Sequence, residues 1–205
     1  MATTAERRLP RFGRTERALH WVHASAFMIL LVTGLCLYLP SLAEAVGRRP
    51  LLKSIHIYTA VAWAIALVVI FTFGNRRQLL SDVRELDDLR PGRMNVGQKV
   101  NAIATAAFAI LFAVTGFFLW YGERDTRFRL PNALLVHDWL MYVSLILFLG
   151  HLFLAVIYPK TRHSLSGITR GWVDEDWALR NHRDWAKEAI AQEGQALEPA
   201  GSEIA

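Results

Sequence analysis

The stretch LLVHDWLMYVSLILFLGHLFLAVIY, residues 134–158, decides the architecture. Its 25 residues hold one acidic side chain, Asp138, and end just before Pro159. About 20 apolar residues in a helix cross the hydrocarbon of a bilayer. Hydrocarbon offers no water to an unpaired backbone, so the segment reads as a membrane-spanning helix. Two histidines interrupt it, His137 and His151. A 14-residue separation is about 21 Å along a helix axis. At roughly 100° per residue the two differ by about 40° in direction, so they share one face.

Working outward, three more apolar runs are long enough to span. Residues 19–39 stop at Pro40, residues 55–73 end at Gly74-Asn75, and residues 100–121 precede a charged loop. Trp21, Tyr38, Trp120, Tyr121 and Tyr158 fall near the ends, where amphipathic rings sit at headgroup level. The fold class is therefore all-α: an integral membrane four-helix transmembrane bundle. It divides into an N-terminal segment (1–18), the four-span domain (19–158) and a polar tail (159–205). In that tail, residues 171–193 mix tryptophan with charge and read as an amphipathic interfacial helix, and the chain after Glu193 reads as a frayed end. The first span loosely mimics a signal peptide before Ala43-Glu44-Ala45, but its apolar run is longer than an h-region and begins with a histidine.

Composition agrees. The chain is 53% hydrophobic and 20% charged, with mean hydropathy +0.24, and the apolar residues lie in blocks. Net charge +5 and pI near 9.7 do not indicate nucleic acid, because the basic residues lie between the apolar blocks rather than on one stripe. The single cysteine, Cys36, allows neither an intramolecular disulfide nor a cysteine metal cluster. Counting Lys and Arg by side, the termini and the loop 75–99 hold 17 and the other two loops hold 6. The positive-inside bias puts both termini in the cytoplasm.

Topology then gives each histidine a depth. His20 opens the first span at the cytoplasmic end, and His56 opens the second at the periplasmic end. His137 enters from the periplasm, and His151 lies near the cytoplasmic end of the same helix. The depths pair His20 with His151 and His56 with His137. Polar side chains inside a membrane are costly and usually have a partner. Neutral imidazoles facing each other across a bundle are axial ligands for haem iron, so two pairs at two depths suit two b-type haems in series. The plain alternative is that each histidine snorkels or hydrogen-bonds to a neighbouring helix. His23, one turn beyond His20, is an alternative ligand, while His163 and His182 read as surface residues. Val32-Thr33-Gly34 and Val114-Thr115-Gly116 repeat a short pattern that suits close helix packing or a flat macrocycle. Arg14, Arg17 and Lys53 are candidate partners for haem propionates.

Several of these pieces together resemble the gamma subunit (diheme cytochrome b) of respiratory formate dehydrogenase. The resemblance covers residues 10–190. It is carried by Arg17-Ala18-Leu19-His20-Trp21, by Ile55-His56, and by Arg93-Met94-Asn95-Val96-Gly97-Gln98-Lys99. His137 and His151 at their 14-residue spacing and the tail His163-Ser164-Leu165-Ser166-Gly167 complete it. His23 departs from that family's usual apolar residue. The resemblance implies the same two ligand pairs for the haem irons and a quinone site, for menaquinone or ubiquinone, beside His20 and His151. Asn95, Gly97 and His151 match the quinone positions, with Gln98 and Lys99 adjoining them. Read by themselves, Asn95 and Gln98 also form a capping box for the third span.

The resemblance further implies an electron-transport subunit of the respiratory chain in the bacterial inner (cytoplasmic) membrane. Its partners would be an iron–sulfur beta subunit and a molybdenum- or tungsten-containing catalytic alpha subunit, with room for a higher oligomer of the complex. Nothing in the chain itself suits formate oxidation: it has no cysteine cluster and no nucleotide-binding glycine fingerprint. Competing readings are the cytochrome b subunit of a hydrogenase or another quinone-linked oxidoreductase and, in another class, a haem-free membrane anchor or transporter.

Overall fold

The computed structural model describes residues 7–197. Four long helices carry the apolar runs: α1 (Arg14–Tyr38), α3 (Arg49–Phe73), α5 (Val96–Tyr121) and α6 (Ala133–Leu152). The last continues through a π-helical turn, Phe153–Ile157. All four are long and apolar enough to cross a membrane. Their large apolar side chains face outward, for example Val61, Ile65, Val68 and Phe71 on α3, as lipid-facing positions require.

Helices α1, α3 and α5 start four or more residues before their apolar runs, while α6 starts one residue before. At α1 and α5 polar caps account for the difference, because the first turn has four unbonded N–H groups that need partners before the chain enters lipid. Glu16 accepts from the Gly13 N–H at 2.6 Å, and Asn95 and Gln98 cap α5. Short helices join the long ones: α2 (Pro40–Val46) on one face and α4 (Arg76–Asp87) on the other. Helix α4 lies in a stretch that sequence reading left as loop. Its signal was Asn75, whose side chain accepts from the Gln78 N–H at 3.1 Å.

Helix α1 packs mainly on α3, and α5 on α6, while α6 also reaches α1. Where α3 ends against the start of α1, Gly74 is needed for space. A Cβ there would lie 2.4 Å from Ile70 O and 2.6 Å from Thr15 Cγ2.

The two termini fold together. Strand β1 (Arg8–Pro10) pairs antiparallel with β2 (Trp172–Asp174), which follows α7 (Leu165–Thr169) and precedes α8 (Glu175–Asn181) and α9 (Arg183–Leu197). Leu9, Val173, Trp177, Ala178 and Ala186 form a closed core in this cap. Trp177 and Trp185 turn into that core, so the expected interfacial helix is two short helices whose tryptophans pack on protein. Helix α9 runs past Glu193 to Leu197, and the rest of the expected frayed end lies outside the described residues. Gly171 makes the turn into β2 at φ +95, and a Cβ there would sit 3.0 Å from Phe12 O.

Arg11 is the polar centre of the cap, 3% exposed. Its guanidinium donates to Arg93 O at 2.7 and 3.2 Å, to Ser164 Oγ at 2.7 Å and to Gln98 Oε1 at 3.2 Å. It also lies 3.1 Å from His182 Nε2. His182 therefore contradicts its reading as a surface residue: it is 5% exposed, with Nδ1 2.9 Å from Gly92 O. The carbonyl requires Nδ1 to carry the hydrogen, and Nε2 accepts from Arg11, so the ring is neutral. His163, by contrast, is exposed as expected.

Burial, then the charge of Arg11, lower the His182 pKa below its ordinary value. Burial and the charge of Arg93 lower that of Arg11 to about 10. Neutral His182 thus stabilises the cap fully above the unfolded histidine value, about pH 6.5, and that stability is lost as pH falls through the lowered folded value. Hydrogen exchange, corrected for intrinsic rates, should show residues 7–12 and 172–178 losing protection between pH 7.5 and 5.5. His182→Gln should flatten that dependence.

Candidate functional site

Helix α6 contributes one histidine to each of two pairs. The rings of His20 on α1 and His151 have centroids 6.4 Å apart and are tilted by 46°. Those of His56 on α3 and His137 have centroids 6.3 Å apart, at 64°. Two imidazoles joined by an N–H···N bond would have centroids about 5 Å apart. Two imidazoles on opposite sides of one metal ion, each bond about 2.0 Å long, place them roughly 6.3 Å apart. The observed separations match the second arrangement at both depths. Among the described residues no group of three or more His, Cys, Asp or Glu side chains converges as a metal site. The donor sets are therefore histidine pairs, which suits a metal whose other ligands come from a macrocycle.

Three features fit a haem between the rings of the outer pair, His56 and His137. Gly34 and Gly116 lie beside them: a Cβ on Gly34 would stand 3.5 Å from His56 Cε1, and one on Gly116 3.6 Å from His137 Cε1. Each glycine keeps the side of an imidazole clear of bulk. Thr33 Oγ1 and Thr115 Oγ1 each lie 2.8 Å from the Nδ1 of His56 and His137 respectively. Phe112 meets the His137 ring edge to face, with centroids 5.0 Å apart.

His23, the alternative ligand, has Phe27 and Trp63 as aromatic neighbours, with centroids 6.3 and 5.7 Å away. Ser144, midway between His137 and His151 in sequence, is buried, and its Oγ has no partner. Of the candidate propionate partners, Arg14 is exposed and two have contacts of their own. Arg17 Nη1 donates to Thr169 O at 3.0 Å, and Lys53 pairs with Glu123.

Four of the candidate quinone residues, Asn95, Gly97, Gln98 and Lys99, form one segment at the start of α5, on the same end of the bundle as His20 and the fifth, His151. Asn95 Oδ1 accepts from the Gln98 N–H at 2.9 Å, and Gln98 Oε1 accepts from the Asn95 N–H at 3.0 Å, completing the capping box. Gln98 also donates to Ser164 Oγ at 3.2 Å, which ties the segment to the cap. Gly97 is exposed and carries no contact of its own beyond Asn95. Lys99 turns the other way. It is 2% exposed, and Nζ donates to Asp88 O at 2.6 Å and Arg90 O at 2.9 Å, with Glu85 3.8 Å away.

Sequence reading placed the histidines but missed what supports them. The threonine bonds had a visible signal in the repeated Val-Thr-Gly. The Arg11–His182–Ser164 cluster had none, since its members are brought together only by the pairing of the termini.

Lys99 gives a direct test of the segment's rigidity. Lys99→Met leaves two loop carbonyls and Glu85 without their cation, at a cost of about 1–3 kcal/mol. Hydrogen exchange over residues 85–95 should become faster, while the absorption of a bound haem stays unchanged.

A family model described as prokaryotic cytochrome b561 matches residues 11–171. The chain is 25% identical over 196 residues to the formate dehydrogenase cytochrome b556(fdo) subunit of Escherichia coli K12, covering 87% of this chain and 92% of that one. It is 23% identical to a formate dehydrogenase cytochrome b556 subunit of Haemophilus influenzae, over 89% of this chain and 84% of that one. With the nitrate-inducible cytochrome b556(Fdn) subunit of Escherichia coli K12 it shares 22% identity, over 84% and 88%.

Proposed function

The chain belongs to the prokaryotic cytochrome b561 family, and on that footing we propose that it is the membrane-anchoring diheme subunit of a formate dehydrogenase complex. Family membership implies b-type haem in a multi-pass membrane protein, which sets aside a haem-free anchor or transporter. The observation that carries the proposal is the pair of histidine pairs, with ring centroids 6.4 and 6.3 Å apart and one member of each on α6.

Each residue then has a defined task. His20 and His151 hold one haem at the end where the termini fold, and His56 and His137 hold the other toward the opposite face. The rigid helix α6 keeps the two ligand positions about 21 Å apart. The 17-to-6 charge bias supports cytoplasmic termini and a bacterial inner membrane, so the outer pair faces the periplasm. Two b-type haems held by these histidines would supply one-electron chemistry between an iron–sulfur partner and quinone. Formate would be oxidised on a separate molybdenum- or tungsten-containing subunit, as the resemblance to formate dehydrogenase cytochrome subunits suggests.

The quinone reading rests on position and resemblance. Asn95 and Gly97 lie at the cytoplasmic membrane boundary, where Gly97 leaves the backbone open to a ring. Asn95 has an amide N–H₂ to donate while its carbonyl caps α5. The same boundary supplies protons from the cytoplasm. An electron carried inward works against the membrane potential at about 2.3 kcal/mol per 100 mV. Proton uptake on that side makes the transfer build that potential, so the two-depth arrangement has a purpose.

A reduced-minus-oxidised spectrum of the purified complex, with haem quantified per chain, should give two b-type haems. His56→Ala or His137→Ala should remove one and spare the other. No b-type band, one haem in the wild-type chain, or equal loss of both from a folded variant would overturn the reading. Co-purification with hydrogenase subunits instead of an iron–sulfur and a molybdenum or tungsten subunit would reassign the electron donor. Asn95→Ala should slow quinone reduction several-fold while leaving haem reduction by the donor unchanged. Equal slowing of both steps would return Asn95 to capping alone.

A further inference from the structure

The same three-residue motif occurs on α1 and α5 and makes the same contact twice. Thr33 reaches His56 on α3, 23 positions on, and Thr115 reaches His137 on α6, 22 positions on. Both oxygen-to-Nδ1 distances are 2.8 Å. Both hydroxyls also lie 2.7 Å from the carbonyl four residues back in their own helix, Ile29 O and Leu111 O. Both threonines are buried, at 7% and 5% exposure, and each is followed by the glycine that flanks the same imidazole.

A threonine hydroxyl has one hydrogen. With that hydrogen donated to the helix carbonyl, the oxygen offers the histidine only a lone pair. Nδ1 must then carry the ring hydrogen and donate it, which leaves Nε2 with its lone pair free. Back-bonding to the carbonyl also holds the threonine in one rotamer, so the acceptor is fixed before any ligand arrives. We propose that Thr33 and Thr115 are positioning residues that set the tautomer and aim of the outer histidine pair and lower the reduction potential of the haem those histidines hold. The inference rests on the ligand reading of the preceding section.

The direction follows from ligand basicity. A hydrogen bond accepted from Nδ1–H makes the imidazole a stronger donor, which favours the ferric ion over the ferrous. The inner pair receives no such support. Among the described residues neither His20 nor His151 has a side-chain hydrogen-bond partner. The position of α5 matching His20 by the motif offset is Ala102, so the repeat does not extend to the inner pair. Two identical cofactors are thereby made unequal, with the outer one the poorer electron acceptor.

The test uses the intact complex in its membranes, titrated electrochemically at the haem absorption band and followed by low-temperature EPR. Thr33→Val and Thr115→Val keep the shape and remove the acceptor. Each should favour reduction of one haem about tenfold, about 59 mV for a one-electron couple, with the other haem unmoved. Thr→Ser at either position should restore the wild-type value. Loss of one haem in the Val variant but not in the Ser variant also supports the assignment. Two bound haems with unshifted potentials in both Val variants overturn it, as does haem loss in Val and Ser variants alike or an equal shift in both haems. Fewer than two haems in the wild-type chain would overturn the ligand reading, and this inference with it.

Discussion

Hydrocarbon cannot hydrogen-bond, and the four-helix bundle follows from how the chain meets that constraint. Four helices bond their own backbones. Two of them, α1 and α5, carry polar caps at their first turn and begin before their apolar runs. Buried polar side chains obey the same constraint. Thr33 and Thr115 return their hydroxyl hydrogens to their own helices and accept from histidines on neighbouring ones. Four imidazoles, these two and those of His20 and His151, lie in pairs with ring centroids 6.3 and 6.4 Å apart.

Outside the membrane the constraint is relaxed, and a different logic organises the cap. Arg11 brings together the N-terminal segment, the start of α5 and the tail through Arg93 O, Gln98, Ser164 and His182. A second cation, Arg93, holds Glu16, Asp82 and Glu85, which raises its own pKa against the opposing effect of burial. Removing either guanidinium would leave several buried acceptors without partners, so the cap is stable only as a whole. Through Gln98, this network supports the segment proposed to meet quinone, and it does so at the end of the bundle where His20 and His151 pair.

The bundle is two helix hairpins of similar pattern, α1 with α3 and α5 with α6, each with a threonine–glycine step set against a histidine. The outer pair draws one histidine from each hairpin, and each has a threonine hydroxyl 2.8 Å from its Nδ1. The inner pair takes His20 from α1 and His151 from α6 and has no counterpart in the repeat. On the proposed reading, a repeated scaffold holding two unequal haem sites would give a transmembrane electron path a direction.

Much of this was legible in the chain alone. The runs at 19–39, 55–73, 100–121 and 134–158 specified four spans, because bilayer thickness sets a length that few other structures need. The order of those spans, with the 14-residue step from His137 to His151, specified which histidines lie at which depth. Helix α4, the β1–β2 ribbon and the burial of His182 were not legible. A three-residue strand has no periodicity to read, and the partner of His182 lies 171 positions away. The Val-Thr-Gly repeat falls between the two. Sequence showed that it occurs twice, and only the packing of α1 on α3 and of α5 on α6 turned each threonine toward a histidine. Depth is a property of one helix in a bilayer and can be read along the chain. Which side chains meet across helices depends on rotation and crossing, which tertiary packing alone decides.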